Sequence, residues 1–345
     1  MQINTDYYTP AQLTGYIRDA LADLPANRSQ LAQWLPNRNV PDLDYRLNRG
    51  TGGLTKAASY RTYDAESPIG SRPGLTRISG ELPPISRKIR LGEYDRLRQR
   101  ANAQVSVQTG LLSDADRLAR ELGARIELGR GDALVNGSVT LAENGVYEKI
   151  DFGRSVSCAI AAATPWTNTA TADPLNDFLT GQASYVAING NAPGATVMGT
   201  ADVNLLLQNA NLRTLGAPPG RTLSLLSRTG LTDIFQAYGL PPIYVIDEQF
   251  DVAGTPTRPI PTGKVLLLPE PGDDGSPDGT DLGGTFWGTT AESLEPEYAL
   301  ADGEEPGIVA GAYSTKDPVA LWTKAAAIAV PVEANPNLTM TLTVR

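Results

Sequence analysis

The sequence predicts an α+β protein organised around one long helix. Three observations predict it. Residues 111–134 place Leu111, Ala115, Leu118, Leu122, Ile126, Gly129 and Ala133 at helical spacing on one face. The residues before this stretch read as arms and hairpins. Those after it break into short apolar runs and short helices separated by turns, as 34 Gly and 26 Pro in 345 residues require.

Taken in order, Thr9 is an N-cap and Pro10 an N1 residue for a helix running to about Asp23, with Leu13, Ile17 and Leu21 inward. Residues 25–44 hold Pro25, Pro36 and Pro41 and little periodicity, so they form an extended arm that needs another surface. Residues 45–90 predict a long two-stranded hairpin, with strands at 54–63 and 75–78, a turn-rich tip at 66–74 and a return through Pro83-Pro84. It is basic (Arg46, Arg49, Lys56, Arg61, Arg72, Arg77, Arg87, Lys88, Arg90) and poor in large apolar residues. A two-stranded hairpin with so little to bury is marginal unless a neighbour covers it. Residues 92–100 add a short helix.

In the main helix, Ser113 is the expected N-cap, with Asp116 completing a capping box and Asp114 and Asp116 facing the positive end of the dipole. Arg117–Glu121 and Glu121–Arg125 are expected ion pairs on the wet side. Gly123 and Gly129 each cost about 1 kcal/mol relative to Ala, so tertiary packing must hold the helix.

Asn136-Gly137 ends the helix, and Asn144-Gly145 turns a hairpin into a strand at 146–152. A crossing at 161–165 leads to a second unit. There Asp173-Pro174 starts a helix through Leu175, Phe178 and Leu179. A strand is expected at 186–188, helices at 201–211 and 231–238 (the latter ended by Gly239), and strands at 243–246 and 265–268. Polar and acidic loops follow at 269–284 and 294–306. Asp317-Pro318 then predicts a helix through Leu321, Trp322 and Ala325. The chain closes with 328–332, a turn at Asn335-Pro336-Asn337, and an alternating strand at 338–344 expected beside the main helix.

Composition removes much of enzyme space. There is no histidine, and Cys158 is the only cysteine, so intrachain disulfides, the usual zinc sites and histidine acid–base chemistry are excluded. Apolar runs such as 265–268 and 325–330 are too short to span a bilayer, so no membrane contact is expected, and MQINTDYYTP is no secretory signal. The net charge of −9 is unevenly spread. Residues 1–100 hold 15 Lys/Arg against 10 Asp/Glu, and residues 231–310 hold 2 against 15. Such a split suits a solvated acidic lobe, a basic arm docking on the acidic lobe of another copy, or a basic arm facing nucleic acid. Charge alone leaves all three open.

No motif supplies chemistry. Gly129-Arg130-Gly131 lacks the third glycine of a dinucleotide loop, which is Leu134, and lacks a preceding strand, so a helix irregularity is favoured. Arg130-Gly131-Asp132 is a chance tripeptide, and Gly263-Lys264 lacks the rest of a P-loop. Asp273, Asp274, Asp278 and Asp281 share one loop, but their spacing fails for an EF-hand and a solvated loop is favoured. Trp34, Trp166, Trp287 and Trp322 read as packing anchors. Catalytic, cofactor and metal residues are therefore none.

Several segments together resemble the major capsid proteins of tailed bacteriophages, specifically the phage lambda head protein E family with its Hong Kong 97-like fold. They are a helix ending in Tyr238-Gly239-Leu240-Pro241, then Ile243 to Asp247, then Ile260-Pro261 to Leu268-Pro269. Upstream lie Ile150-Asp151-Phe152-Gly153, Trp166 and Asp173-Pro174-Leu175. Downstream lie Asp317-Pro318 to Trp322 and Ile328 to Pro331. The resemblance implies an N-terminal arm (1–42), an E-loop hairpin (43–90), a peripheral domain with its spine helix (91–160), an axial domain (161–307), and a return to the peripheral domain (308–345). It implies a non-enzymatic major capsid protein of the virion that self-assembles, in host cytoplasm, into hexamers and pentamers of an icosahedral head. Implied partners are further copies of itself, a separate scaffold protein, a portal, a decoration protein, and double-stranded DNA held by non-specific charge. Lys56, Arg61, Arg72 and Arg77 in the hairpin are the candidate contacts between subunits. Alternatives are an encapsulin-like or other non-viral shell protein of the same fold, and a soluble enzyme with a non-histidine site.

Overall fold

The apolar stripe of the central stretch becomes one helix, and two sheets are arranged around it. A computed structural model describes residues 2–23, 30–49, 57–67, 76–98, 103–143, 145–218, 220–221, 223–272, 281–300 and 306–345. Its elements are β1 (Gln2–Ile3), α1 (Pro10–Asp23), β2 (Asn37–Asn39), β3 (Asp44–Arg49), β4 (Thr76–Glu81), β5 (Pro84–Leu91), α2 (Glu93–Arg98) and α3 (Ala103–Asn136). There follow β6 (Ser138–Glu143), β7 (Val146–Asp151), β8 (Ala159–Ala161), α4 (Pro174–Asn189), β9 (Ala195–Met198), α5 (Thr200–Gln208), α6 (Ala210–Leu215) and α7 (Arg228–Ala237). The rest are β10 (Ile243–Val245), β11 (Phe250–Val252), β12 (Thr255–Thr257), β13 (Lys264–Leu268), β14 (Gly283–Gly288), β15 (Val309–Lys316), β16 (Val319–Glu333) and β17 (Met340–Thr343).

Local chemistry accounts for many boundaries. At α1 the Thr9 hydroxyl accepts from the Gln12 N–H at 3.3 Å, and Gln12 returns an amide oxygen to the Thr9 N–H at 3.0 Å, a reciprocal cap. Asp173 caps α4 ahead of Pro174, accepting from the Asn176 N–H. At the end of α3, Gly137 adopts φ +64°, and Arg154 donates to the carbonyls of Leu134 at 3.0 Å and Val135 at 2.7 Å. Those are last-turn carbonyls that the helix itself leaves unpaired.

The first sheet runs β1-β15-β16-β14-β2, with β5 also pairing β16. α1 and α3 cover one face of it, burying Leu13, Ile17, Leu118, Leu122 and Ile126 against Ala325, Ala327 and Ala329. The alanines of β16 let the 34-residue α3, about 50 Å long, lie close to the strand. The second sheet runs β10-β9-β13-β17-β8. One core packs Phe178, Val203, Leu231 and Phe235 of its helices against Val265, Leu267 and Leu342. A third core joins the two sheets, where Leu31, Trp34 and Leu35 of the N-terminal segment meet Ala133, Leu134, Leu266, Phe286 and Val332.

Several expectations are corrected. α3 begins at Ala103, so Ser113 is an interior residue and not an N-cap. Arg117 pairs with Glu121 at 3.2 Å as expected, but Glu121 takes Arg87 as its second partner at 2.8 Å while Arg125 pairs with Glu143. Residues 186–188 continue α4 and form no strand. The stretch after Asp317-Pro318 is strand β16 and not a helix. Leu321, Trp322 and Ala325 suit a helix locally, but ladders with β15 on one side and β5 on the other override that preference. The helix expected over 201–211 is divided at Asn209 into α5 and α6. Of the hairpin strand expected at 54–63, residues 57–63 form no strand and 54–56 lie outside the described residues; the strand that pairs β4 is β3, from Asp44↔Glu81 to Arg49↔Thr76. The last strand joins the second sheet, between β13 and β8, and meets the end of the main helix where Thr341 Oγ1 donates to the Val135 carbonyl.

Candidate assembly surfaces

Beyond the β3–β4 pair the chain passes through 57–67 without a strand, and every residue there is exposed. Tyr60 and Tyr63 are exposed to 106% and 99%. Arg61, the one candidate contact whose side chain is described, folds onto its own loop and donates to the carbonyls of Ala65 at 2.7 Å and Thr62 at 3.4 Å. Arg77 stands in β4 opposite Asn48. Lys56, Arg72 and residues 273–280 lie outside the described residues. Arg61 thus lies in the exposed loop, and Arg77 is placed by its register in β4 alone.

The segment after the N-terminal helix is docked, in contrast. Glu127 and Arg130, one turn apart on α3, are 0% and 2% exposed and pair at 3.0 Å. Arg130 also donates to Asn37 Oδ1 at 2.7 Å and Thr285 Oγ1 at 2.9 Å, and Glu127 accepts the Leu31 N–H at 2.7 Å. Trp287 Nε1 donates to Asn37, and Thr285 to the Leu35 carbonyl. The buried pair thus clamps 31–37 between α3 and β14. Sequence reading missed it because Arg130 was weighed only within its glycine-flanked triplet. The signal was present: the i,i+3 pair lies beside Ile126 and Ala133 on the buried face. The flanking glycines are contact points. A Cβ on Gly131 would stand 2.2 Å from the Pro259 carbonyl oxygen, and one on Gly129 would stand 3.2 Å from the Pro331 ring.

A groove of about 780 Å³ runs along this half of α3, lined by Leu122, Ile126, Val139, Val252, Pro259 and Pro331 among others. At the end of β16 Glu333 is wholly buried, and neither carboxylate oxygen has a hydrogen-bond partner among the described residues. Burial pushes its carboxyl well above the ordinary range, with Arg154 opposing in part.

The sheet face turned away from α3 is half covered. Residues 292–298 lie on it, with Lys324 paired to Glu292 and Tyr298 buried against Gly311. Burial and the nearby carboxylates push the Tyr298 phenol up to about 12. Burial alone would raise Glu292, but the bond from Lys324 holds its carboxyl below the ordinary value. The other half is open and shows Tyr313 stacked on Trp322 at 6.3 Å, with Lys88 Nζ 4.8 Å and the Arg90 guanidinium 5.9 Å from the Trp322 ring. Among the described residues there is no His/Cys/Asp/Glu group suited to a metal ion, and no helix long and apolar enough to cross a membrane.

A spine helix on one sheet, helices over a second, and an extended two-stranded pair carrying an uncovered loop define a capsid subunit of the Hong Kong 97-like fold. The same architecture recurs in a prophage protein described as a capsid protein from E. coli CFT073 (14% identity, 98% of this chain and 99% of that one, TM-score 0.63). It recurs in a phage-related protein from Bordetella bronchiseptica RB50 (11% identity, 95% of each chain, TM-score 0.59). No curated protein matches the sequence. The chain belongs to the phage major capsid protein E family, whose pattern it matches over residues 16–344. It is a structural capsid protein.

Proposed function

We propose that this subunit forms hexamers and pentamers that close into an icosahedral phage head around double-stranded DNA. The observation that carries the reading is the exposed hairpin. A two-stranded pair ending in a fully solvated loop with two bare tyrosines has little of its own to hold it, so neighbouring copies supply its cover. On this reading Lys56, Arg61, Arg72 and Arg77 contact adjacent subunits, and the role is non-enzymatic. Residues 1–42 act as the arm, 43–90 as the E-loop, 91–160 with 308–345 as the peripheral domain, and 161–307 as the axial domain. Four strands cross that division: β5 and β14 belong to the first sheet, and β8 and β17 to the second. A scaffold protein, a portal and a decoration protein join the head during assembly in the host cytoplasm, and the finished protein resides in the virion.

Negative-stain electron microscopy with sedimentation velocity on the purified protein tests this. Closed shells, tubes or ring-shaped capsomers support the reading, and packaged DNA in shells from infected cells supports the head assignment. Shells loaded with protein cargo would favour a non-viral compartment. A subunit that stays monomeric with its scaffold present would overturn the proposal.

A further inference from the structure

The open half of the first sheet, described above as a Tyr313-Trp322 platform beside Lys88 and Arg90, has a defined chemistry. Among the described residues neither cation has a carboxylate partner, and both lie near the Trp322 ring centroid, at 4.8 and 5.9 Å. Half-buried aromatic surface and two exposed cations on one strand suit a short segment in which apolar residues alternate with carboxylates.

The same chain carries such a segment. Leu294-Glu295-Pro296-Glu297 is exposed at every residue, Leu294 to 66%. Its two ends are pinned to the sheet by Glu292 on Lys324 and by Tyr298 on Gly311. Gly311 and Lys324 are cross-strand partners, and Tyr313 and Trp322 are the next pair on that face. The segment is thus anchored one row short of the platform in its own subunit, and the platform stays open.

We propose that the Leu294–Glu297 segment of a second copy docks on the Lys88, Arg90, Trp322 and Tyr313 platform. Leu294 and Pro296 lie on the aromatic rings, and Glu295 and Glu297 pair with Lys88 and Arg90. Donor and acceptor are different surfaces of one chain, so the contact is heterologous and closes into a ring when the rotation permits. The uneven charge along the sequence gains a specific meaning here, since a basic strand of the N-terminal third meets an acidic turn of the C-terminal third. A nucleic-acid backbone fits less well. Glu292 stands beside the platform, and Asp317 lies in the turn closing β15–β16, so the positive stripe is short.

The inference rests on the shell reading, and the experiment separates the two. Three full-length variants are compared with wild type: Lys88→Glu with Arg90→Glu, Glu295→Lys with Glu297→Lys, and all four together. Far-UV circular dichroism and thermal melting monitor the fold, and sedimentation velocity reads the fraction in shells. Each double reversal is expected to lower that fraction by about tenfold with the melting temperature unchanged, and the fourfold swap to restore it. If wild type assembles and both double variants do so equally well, the docking is wrong while the shell reading stands. If only the Lys88/Arg90 variant is impaired, with its shells poor in DNA, the platform faces nucleic acid and the proposal is overturned. If wild type itself never assembles, the shell reading fails first.

Discussion

Replacing Arg130 by Met tests whether the buried ion pair is what fastens the N-terminal segment to the spine helix. The guanidinium, itself 2% exposed, donates to Glu127, Asn37 and Thr285 at 3.0, 2.7 and 2.9 Å. Met keeps most of the stem volume, so little cavity forms. The loss is chiefly electrostatic: Glu127 keeps the Leu31 N–H but loses the guanidinium that pairs with it at 3.0 Å. Removing one partner of such a pair costs about 3–5 kcal/mol, a large part of the roughly 5–15 kcal/mol that holds a typical domain. Replacing both partners, by Glu127→Gln with Arg130→Met, removes the charge as well as its counter-ion. The double variant should therefore fall short of the summed single losses by about 1–3 kcal/mol. Urea unfolding of the dissociated subunit, followed by far-UV circular dichroism at unchanged m value, measures all four corners of the cycle. Hydrogen exchange should rise first in the amides of 31–39, which the pair clamps. A single-variant loss below about 1 kcal/mol, or strict additivity, would refute the reasoning.

Other outcomes follow from the same geometry. Glu333→Gln should stabilise the subunit increasingly as pH rises. The buried carboxyl binds its proton more tightly folded than unfolded, so wild type loses stability from its ordinary value of 4.5 upward while the amide does not. Melting temperatures of the two proteins compared between pH 4.5 and 8 check this, and a difference that shrinks with pH would contradict it. Gly131→Ala should destabilise by about 1–3 kcal/mol, because its Cβ meets the Pro259 backbone. Gly110→Ala in the same helix, with open space at its Cβ, should stabilise by up to about 1 kcal/mol in the same urea titration. Arg61→Glu should leave subunit unfolding unchanged, since among the described residues its side chain bonds only its own exposed loop, and should lower shell yield in sedimentation. Normal yield would remove Arg61 from the contact.

How far the sequence foretells the fold depends on whether the deciding interaction is local. The Thr9-Pro10 start, the Asn136-Gly137 stop, the Asp173-Pro174 start and the Gly239 stop are all set by groups within a few residues, and each lies where the pattern places it. β16 is decided elsewhere. Its alanine-rich middle favours a helix in isolation, and only two flanking ladders and the closely packed α3 make it a strand. The start of α3 eluded the pattern for a related reason: Ser113-Asp114-Ala115-Asp116 is a good cap by composition, but Val107 and Leu111 already bury against α1 and the first sheet, so the helix extends upstream. Of the candidate contacts, the hairpin was legible from its sparse apolar content. The platform was not, because Trp322 was placed on a helix and so could not be set beside Lys88 and Arg90.

The interleaving of the two sheets has a consequence for how the subunit is made. β1 pairs with β15, β2 with β14, β5 with β16 and β8 with β17, so the N-terminal half lies between strands from the last third of the chain. Contacts so distant in sequence make for slow folding. A nascent chain emerging at about 5–20 residues per second has neither sheet complete until residues 319–343 have left the ribosome. Translation therefore sets the order of folding: the β3–β4 pair is complete early, while the cores against the two sheets close only when the last strands are added.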